Sequence, residues 1–265
     1  MCTRAVSALG HYLEEEGIAT VAISLIRPQT EKTRPPRALW VPFQLGRPFG
    51  PPGEPGFQRG VVLAALRLLE CKAGPVIIED FPDDDPREKA DPSWLPPPLL
   101  TVPANHAPAA LASRLDVEIP TLAPSHRRWI AADGRTTVGL SGLPMPELGD
   151  YVGEWLRGRE PPSPRSGFSP ILQLRFAADD LKAYYLEAGA GGLARPSSRQ
   201  LGDWFWSSTA AGAALIVLRD ALLASANDRV KLIAGNFLVP GSYVPSTARP
   251  GTIAATSMGP WQPGQ

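Results

Sequence analysis

Proline sets the outer limits of this fold. The chain has 31 prolines in 265 residues, and they are bunched. Each proline fixes φ and removes a backbone donor, so a bunch marks where helix or sheet must stop. Three stretches read as irregular on this ground: QLGRPFGPPGEPG (44–56), PDDDPREKADPSWLPPPLLTVP (82–103) and REPPSPRSGFS (159–169). Residues preceding a proline are also pushed out of helix. The breaks suggest four parts: an α/β part over 1–100, a mixed hairpin and helix segment over 101–160, a helical region over 170–244, and a flexible tail over 245–265.

Between the breaks, apolar spacing predicts the elements. Residues 4–16 carry Val6, Leu9, Tyr12 and Leu13 on one helical stripe, ended by Gly17. TVAISLI (20–26), RALWVPF (37–43) and PVIIEDF (75–81) read as short buried strands. RPQTEKTRPP between the first two reads as a loop. FQRGVVLAALRLLE (57–70) reads as a helix with Val61, Leu63, Leu66 and Leu69 available to pack. Helices between short strands predict the α/β class, here a partial doubly wound, mostly parallel sheet whose opening elements lie before this sequence.

Further on, ALASRLDVEIP suggests a short helix and an edge strand. RRWIAADGRTTVGL (127–140) reads as a hairpin about Asp133-Gly134, and ELGDYVGEWLRG (147–158) as a short helix. DDLKAYYLEAG predicts a helix starting at Asp179 and Asp180. Ser197, with Gln200 three residues on, forms a capping box that opens one helix running to about Ser225. VKLIAGNFLVP is a last short element. The C-terminal region is thus mainly α-helical.

Lysine plus arginine balance aspartate plus glutamate at 26 each. A neutral chain gives no support to nucleic-acid or membrane-surface binding. No charged-then-apolar leader and no apolar run of about 18 residues occurs, so neither a signal peptide nor a transmembrane helix is expected. Two cysteines, Cys2 and Cys71, make no disulfide framework, which points to a reducing cytoplasm.

Few residues carry a chemical signal. Cys2 either merely follows the initiator methionine or is a thiolate held at a helix N-terminus, with Arg4 one turn away favouring the ionised form. Cys71, closing an apolar helix, reads as a buried structural thiol. His11, His106 and His126 have no metal-ligand spacing. Glu79, Asp80, Asp83, Asp84 and Asp85 read as a solvated acidic turn rather than a cation site. GLSG (139–142) lacks the final glycine of a nucleophile elbow, and GAGGLA (189–194) follows a helix instead of a strand. DWFW (203–206) reads as core packing, with a small-molecule pocket around Tyr184, Tyr185, Asp203, Trp204 and Trp206 as the alternative.

The first 70 residues resemble a known family. CTRAV…LEEEGIATVAIS…PPRALWVPFQLGRPFG is similar to the substrate-activating selenoprotein subunits of glycine, sarcosine and betaine reductase (protein B) and of D-proline reductase. Cys2, Thr3 and Arg4 match the Cys-Thr-Arg of that family's redox motif, and Gly17 and Ile18 match its turn into a strand. Arg37, Pro42, Leu45, Gly46 and Pro48 match its Arg-containing strand and Pro-x-Pro-Leu-Gly-x-Pro loop. Phe43 stands where the family has histidine. The likeness covers about residues 2–70.

The resemblance implies a reductase component with Cys2 and Arg4 at the redox site and the Arg37, Pro42–Pro48 segment on the substrate side. It implies no cofactor in this chain, a pyruvoyl group on a partner subunit, further reductase subunits as partners, and a small amino acid or amine as substrate. In the family a selenol attacks the α-carbon of a substrate held as an imine on the pyruvoyl subunit. The selenocysteine position lies three residues before Cys2, outside this sequence. Two readings follow: a start assigned after a UGA codon that encodes selenocysteine, or a divergent homologue without the selenol, in which Cys2 acts alone or no reductase chemistry remains and the chain is non-catalytic, serving as a binding or docking protein.

Overall fold

A computed structural model describes residues 2–71, 74–102 and 106–244, with side chains from Arg4 onward. The expected flexible tail lies outside the described residues. The chain divides into two compact units, Met1–Ala90 and Asp91–Gln265. The boundary falls inside the acidic, proline-rich stretch, earlier than position 100. Trp94 explains the shift: its indole N–H donates to the Gly189 carbonyl at 3.1 Å and its ring meets Trp204 edge-on, both within the second unit.

The first unit contains α1 (Cys2–Glu15), β1 (Ala22–Ser24), α2 (Arg27–Thr33), β2 (Arg37–Trp40), α3 (Pro55–Arg67) and β3 (Ile77–Asp80). The strands form a parallel sheet in the order β1-β2-β3, with Ile23 opposite Leu39 and Leu39 opposite Glu79. Strand alternation separates its two faces. Leu39, Val41, Ile23 and Ile77 pack with Val61, Ala65 and Leu68 from α3 and the turn after it. Ser24 points to the other face and meets Thr30 of α2. The segment expected as a loop is therefore the helix α2, and Pro28 in its first turn needs no intrahelical donor.

The expected packing face of α1 is also corrected. Ser7 bonds Thr33 at 2.9 Å, and Gly10 lies against Thr20 and Pro36. Glu14 accepts from the N–H and hydroxyl of Thr20 at 2.6 and 3.0 Å. The small, polar side of the helix faces the sheet, and the stripe Val6, Leu9, Tyr12 stays 47, 56 and 69% exposed.

The second unit is helical: α4 (Pro108–Asp133), α5 (Met145–Leu156), α6 (Pro170–Ala190), α7 (Ser198–Ser208), α8 (Ala210–Leu223) and α9 (Asp228–Ile233), followed by a π-helical turn, Ala234–Leu238. The chain is thus mixed α/β, with a mostly helical C-terminal region. Leu111, Leu115 and Leu122 of α4 meet Leu148 of α5, Leu174 and Leu181 of α6 and Leu215 of α8 in one core. Each such fully buried side chain contributes about 1.5–3 kcal/mol.

Neither the edge strand nor the hairpin expected over 101–140 is present: α4 runs through both. Pro120 and Pro124 lie inside it. Both are exposed, four residues apart on the solvent side, where water reaches the carbonyls they leave unbonded. Gly134 ends the helix in the left-handed conformation at φ 75° and donates to Ile130, so Asp-Gly caps a helix instead of turning a hairpin. α6 begins at Pro170, which places Asp179 and Asp180 in mid-helix.

The capping box at Ser197 and Gln200 forms as expected, but the helix it opens breaks at Thr209. Thr209 donates to the Phe205 carbonyl at 2.7 Å and accepts from the Gly212 N–H at 3.0 Å, ending α7 and capping α8. Among the described residues no single helix is long and apolar enough to cross a membrane. α7 and α8 pass a length and composition test only as a pair bent by 68°. A Cβ at Gly212 stands 2.2 Å from the Phe205 carbonyl oxygen. Gly212→Ala is expected to cost about 2–3 kcal/mol in urea unfolding through overpacking, and Gly192→Ala, which meets nothing within 4 Å, much less.

Candidate functional site

A parallel strand leads its chain out at its carboxyl end, the edge where open α/β sheets bind ligands. The segment Pro42–Pro48 leaves β2 at that edge. Phe43 is buried against Phe57 and Phe81, with ring centroids 5.5 and 5.8 Å away, and anchors the segment. Beyond it Arg47 N–H bonds Gln44 and Gly50 N–H bonds Arg47, each at 3.0 Å, so the loop is two successive turns. Gly46 sits at φ 93° and Leu45 is 73% exposed at the tip. Arg27, at the start of α2, lies over the Trp40 ring and pairs with Asp80, tying the carboxyl ends of β2 and β3 together.

The residues expected on the substrate side do not all gather there. Arg37 lies at the amino end of β2, about 15 Å of extended chain before Pro42. Its guanidinium pairs with Glu14 at 2.5 Å. The Thr20 N–H and the Arg37 charge hold the Glu14 carboxyl below the usual carboxylate range against the opposing effect of burial. Cys2 begins α1 and Arg4 is exposed in its first turn; the Cys2 thiol lies outside the described residues. Cys71 is half-buried beside the α3 core rather than fully enclosed. Asp85 caps a short turn through the Arg87 N–H at 2.9 Å. Among the described residues no group of three His, Cys, Asp or Glu side chains is placed to hold a metal.

The strongest polar constellation is in the second unit. Gln173, Asp180 and Glu187 follow each other at intervals of seven along α6 and share one face. All three are buried and grip the segment that joins α4 to α5. Asp180 accepts the N–H groups of Gly139, Leu140 and Ser141 at 2.8 Å each, and the Ser141 hydroxyl at 2.6 Å. Gln173 donates to the Ser141 carbonyl at 2.9 Å. Glu187 accepts from the Thr136 hydroxyl at 2.6 Å and from the Thr137 N–H and hydroxyl at 2.7 Å each. His126 Nε2 meets it at 2.8 Å. GLSG is therefore a strap bound by a carboxylate. Its serine hydroxyl is spent on Asp180, which gives no nucleophile geometry.

Glu118 of α4 is the third buried acid among the described residues of the second unit. It accepts the Tyr185 hydroxyl at 2.9 Å and the Ala210 N–H at the N-terminus of α8. Burial pushes its carboxyl up despite these bonds. The aromatic residues around it are core: Tyr185 and Phe205 are fully enclosed, and Trp204 nearly so. Burial raises Tyr184 to about 12, and its hydroxyl donates to the Ile119 carbonyl at 2.7 Å. GAGGLA closes α6, with Gly191 pressed against the Ser125 carbonyl. Asp180, Glu187, Glu118 and His126 escape a reading based on apolar periodicity. For Asp180 and Glu187 the signal is the seven-residue spacing they share with Gln173 along α6; Glu118 and His126 carry no such signal.

The chain matches no protein-family model, no curated protein and no solved structure.

Burial opposes the ionised form of Glu187, but the bonds from Thr136, Thr137 and His126 outweigh it and lower its pKa. A carboxyl lowered in the folded state adds stability above its unfolded pKa of about 4.3, and that stability is lost as pH falls through the lower folded value. Urea unfolding between about pH 5 and 3 is expected to show a smaller loss for Glu187→Gln than for the unmodified chain. At pH 7 Asp180→Asn is expected to cost about 3 kcal/mol, because an amide N–H would face donors already aimed at the carboxylate.

Proposed function

We propose that the first unit is a reductase-like component of the glycine, betaine and D-proline reductase type, acting on a small amino acid or amine in the cytoplasm as one subunit of a complex. The observation that carries this reading is the loop Pro42–Pro48, the most specific part of the resemblance, standing at the carboxyl end of the central strand of a parallel sheet. Helices packed on both faces of that sheet support its finer description as part of a doubly wound fold.

In this reading Cys2 supplies the thiolate. A helix start offers unbonded N–H groups and the positive end of the helix dipole, and Arg4, two residues on, adds positive charge to the same first turn. The anchored loop orients the substrate, with Leu45 and Gly46 nearest to it. Arg37 is a structural partner of Glu14 rather than a substrate ligand. The pyruvoyl group belongs to another subunit, and no residue of this chain is assigned to holding it.

A second reading has its own support. Arg37 is engaged away from the loop, and Phe43, in place of the family's histidine, is core. Both suit a divergent homologue that keeps the fold for docking and has lost the chemistry. Assay of the full chain with the pyruvoyl subunit of a glycine-reductase-type complex separates the two. Under the first reading substrate is consumed, and Cys2→Ser brings consumption to background. Full activity in Cys2→Ser ends the assignment of Cys2. Tight association without consumption favours docking.

A further inference from the structure

Of the α3 residues whose spacing offered them for packing, the fold buries only Val61. Val62, Leu63, Leu66 and Leu69 stay 36–48% exposed. α3 runs directly into the turn Leu68–Glu70, so this apolar stripe continues without a break. Arg59, Leu63, Leu66 and Glu70 follow one another at intervals of four, three and four. They therefore share one line of the helix, opposite the buried Val61, Ala65 and Leu68. Val62 and Leu69 lie together on one flank of that line. Arg59 and Glu70 are exposed, and among the described residues neither side chain is in an ion pair.

We propose that this face of α3 docks on the same face of a second copy of this chain, with the two helices antiparallel. The order of residues along the line specifies the occupant, because it is complementary to its own reverse. A two-fold axis through the midpoint, between Ala64 and Ala65, exchanges residues that lie equally far from it. Arg59 then meets the partner's Glu70, and Glu70 meets the partner's Arg59. Leu63 meets the partner's Leu66, and Val62 meets the partner's Leu69 on the flank. A short apolar seam is thus closed at both ends by opposite charges. Parallel helices would set like charges against each other at both ends, so the charges also fix the direction. Any other helix would have to carry the same order reversed, whereas a second copy carries it by symmetry. One helix pair covers less than the about 800 Å² per partner of a standard interface, so the dimer is weak and depends on concentration. The inference is independent of any reductase activity and uses neither Cys2 nor the Pro42–Pro48 loop.

Sedimentation equilibrium of the full chain, over a concentration series up to about 0.5 mM, tests it. Expected is a monomer–dimer equilibrium that added salt weakens. Arg59→Glu and Glu70→Arg each bring like charges together at both ends, and each should weaken association at least about tenfold. Mixed in equal amounts, the two variants should associate as the unmodified chain does, because opposite charges again face each other at both ends. Leu66→Glu should weaken association at least about tenfold, whereas Leu9→Glu on the exposed side of α1 should leave it unchanged. A chain that stays monomeric throughout overturns the proposal. So do single charge variants that associate like the unmodified chain, a mixture of them that stays monomeric, or a dimer that Leu9→Glu dissociates.

Discussion

Buried carboxylates do in the second unit what backbone partners do elsewhere. A chain that leaves a helix without entering another element carries N–H groups that need partners. The segment from Thr136 to Ser141 forms no helix or strand, yet its N–H groups at Thr137, Gly139, Leu140 and Ser141 end on two side chains of α6. Glu118 does the same for the first N–H of α8. Without these acids the α4–α5 connection would lose the partners that hold it to α6, and the α7–α8 break would place an unpaired donor against an apolar core.

The acids divide the labour differently. Glu118 stands at a helix start with two kinds of donor, and burial dominates its protonation. Glu187 collects four donors, and hydrogen bonding dominates. The two glutamates of one core therefore shift in opposite directions for reasons read from their partners. In the first unit the ion pair of Arg37 with Glu14 serves a related purpose, joining α1 to the sheet by polar contacts where apolar ones were expected.

Elements whose pattern is local were legible in the sequence. The three strands, α1, α3, α5 and the capping box at Ser197 stand where periodicity and end signals put them, as does the core role of Trp204 and Phe205. What escaped depended on partners far along the chain. Pro120 closes the expected edge strand because its exposure on the solvent side of a helix cannot be seen in a window of residues. Asp133-Gly134 fits a hairpin and a helix cap equally well, and the buried stripe of α4, Leu111, Leu115, Ile119 and Leu122, decides between them. Asp180 reads as a helix start until Pro170 is seen to begin the same helix. The stripe on α1 was correctly found, but Ser7, Gly10 and Glu14 have partners in three other elements, and those partners set which way the helix turned. Of the candidate site, the loop Pro42–Pro48 was legible, and the separation of Arg37 from it was not.

The spacing of the α6 anchors has a consequence for length. From Gln173 to Glu187 is about 21 Å of helix at about 1.5 Å per residue. The strap residues that meet these anchors, Thr136 to Ser141, reach about 17 Å when fully extended at about 3.3 Å each. The difference is made up by side-chain reach and by Ser141, which alone meets both Asp180 and Gln173, so each anchor has its own donor along the strap. Surface loops commonly absorb an extra residue at little cost. Here an added residue leaves slack between two fixed points, and a missing one pulls the chain off an anchor, so the number of residues in this stretch is as much a part of the fold as their identity.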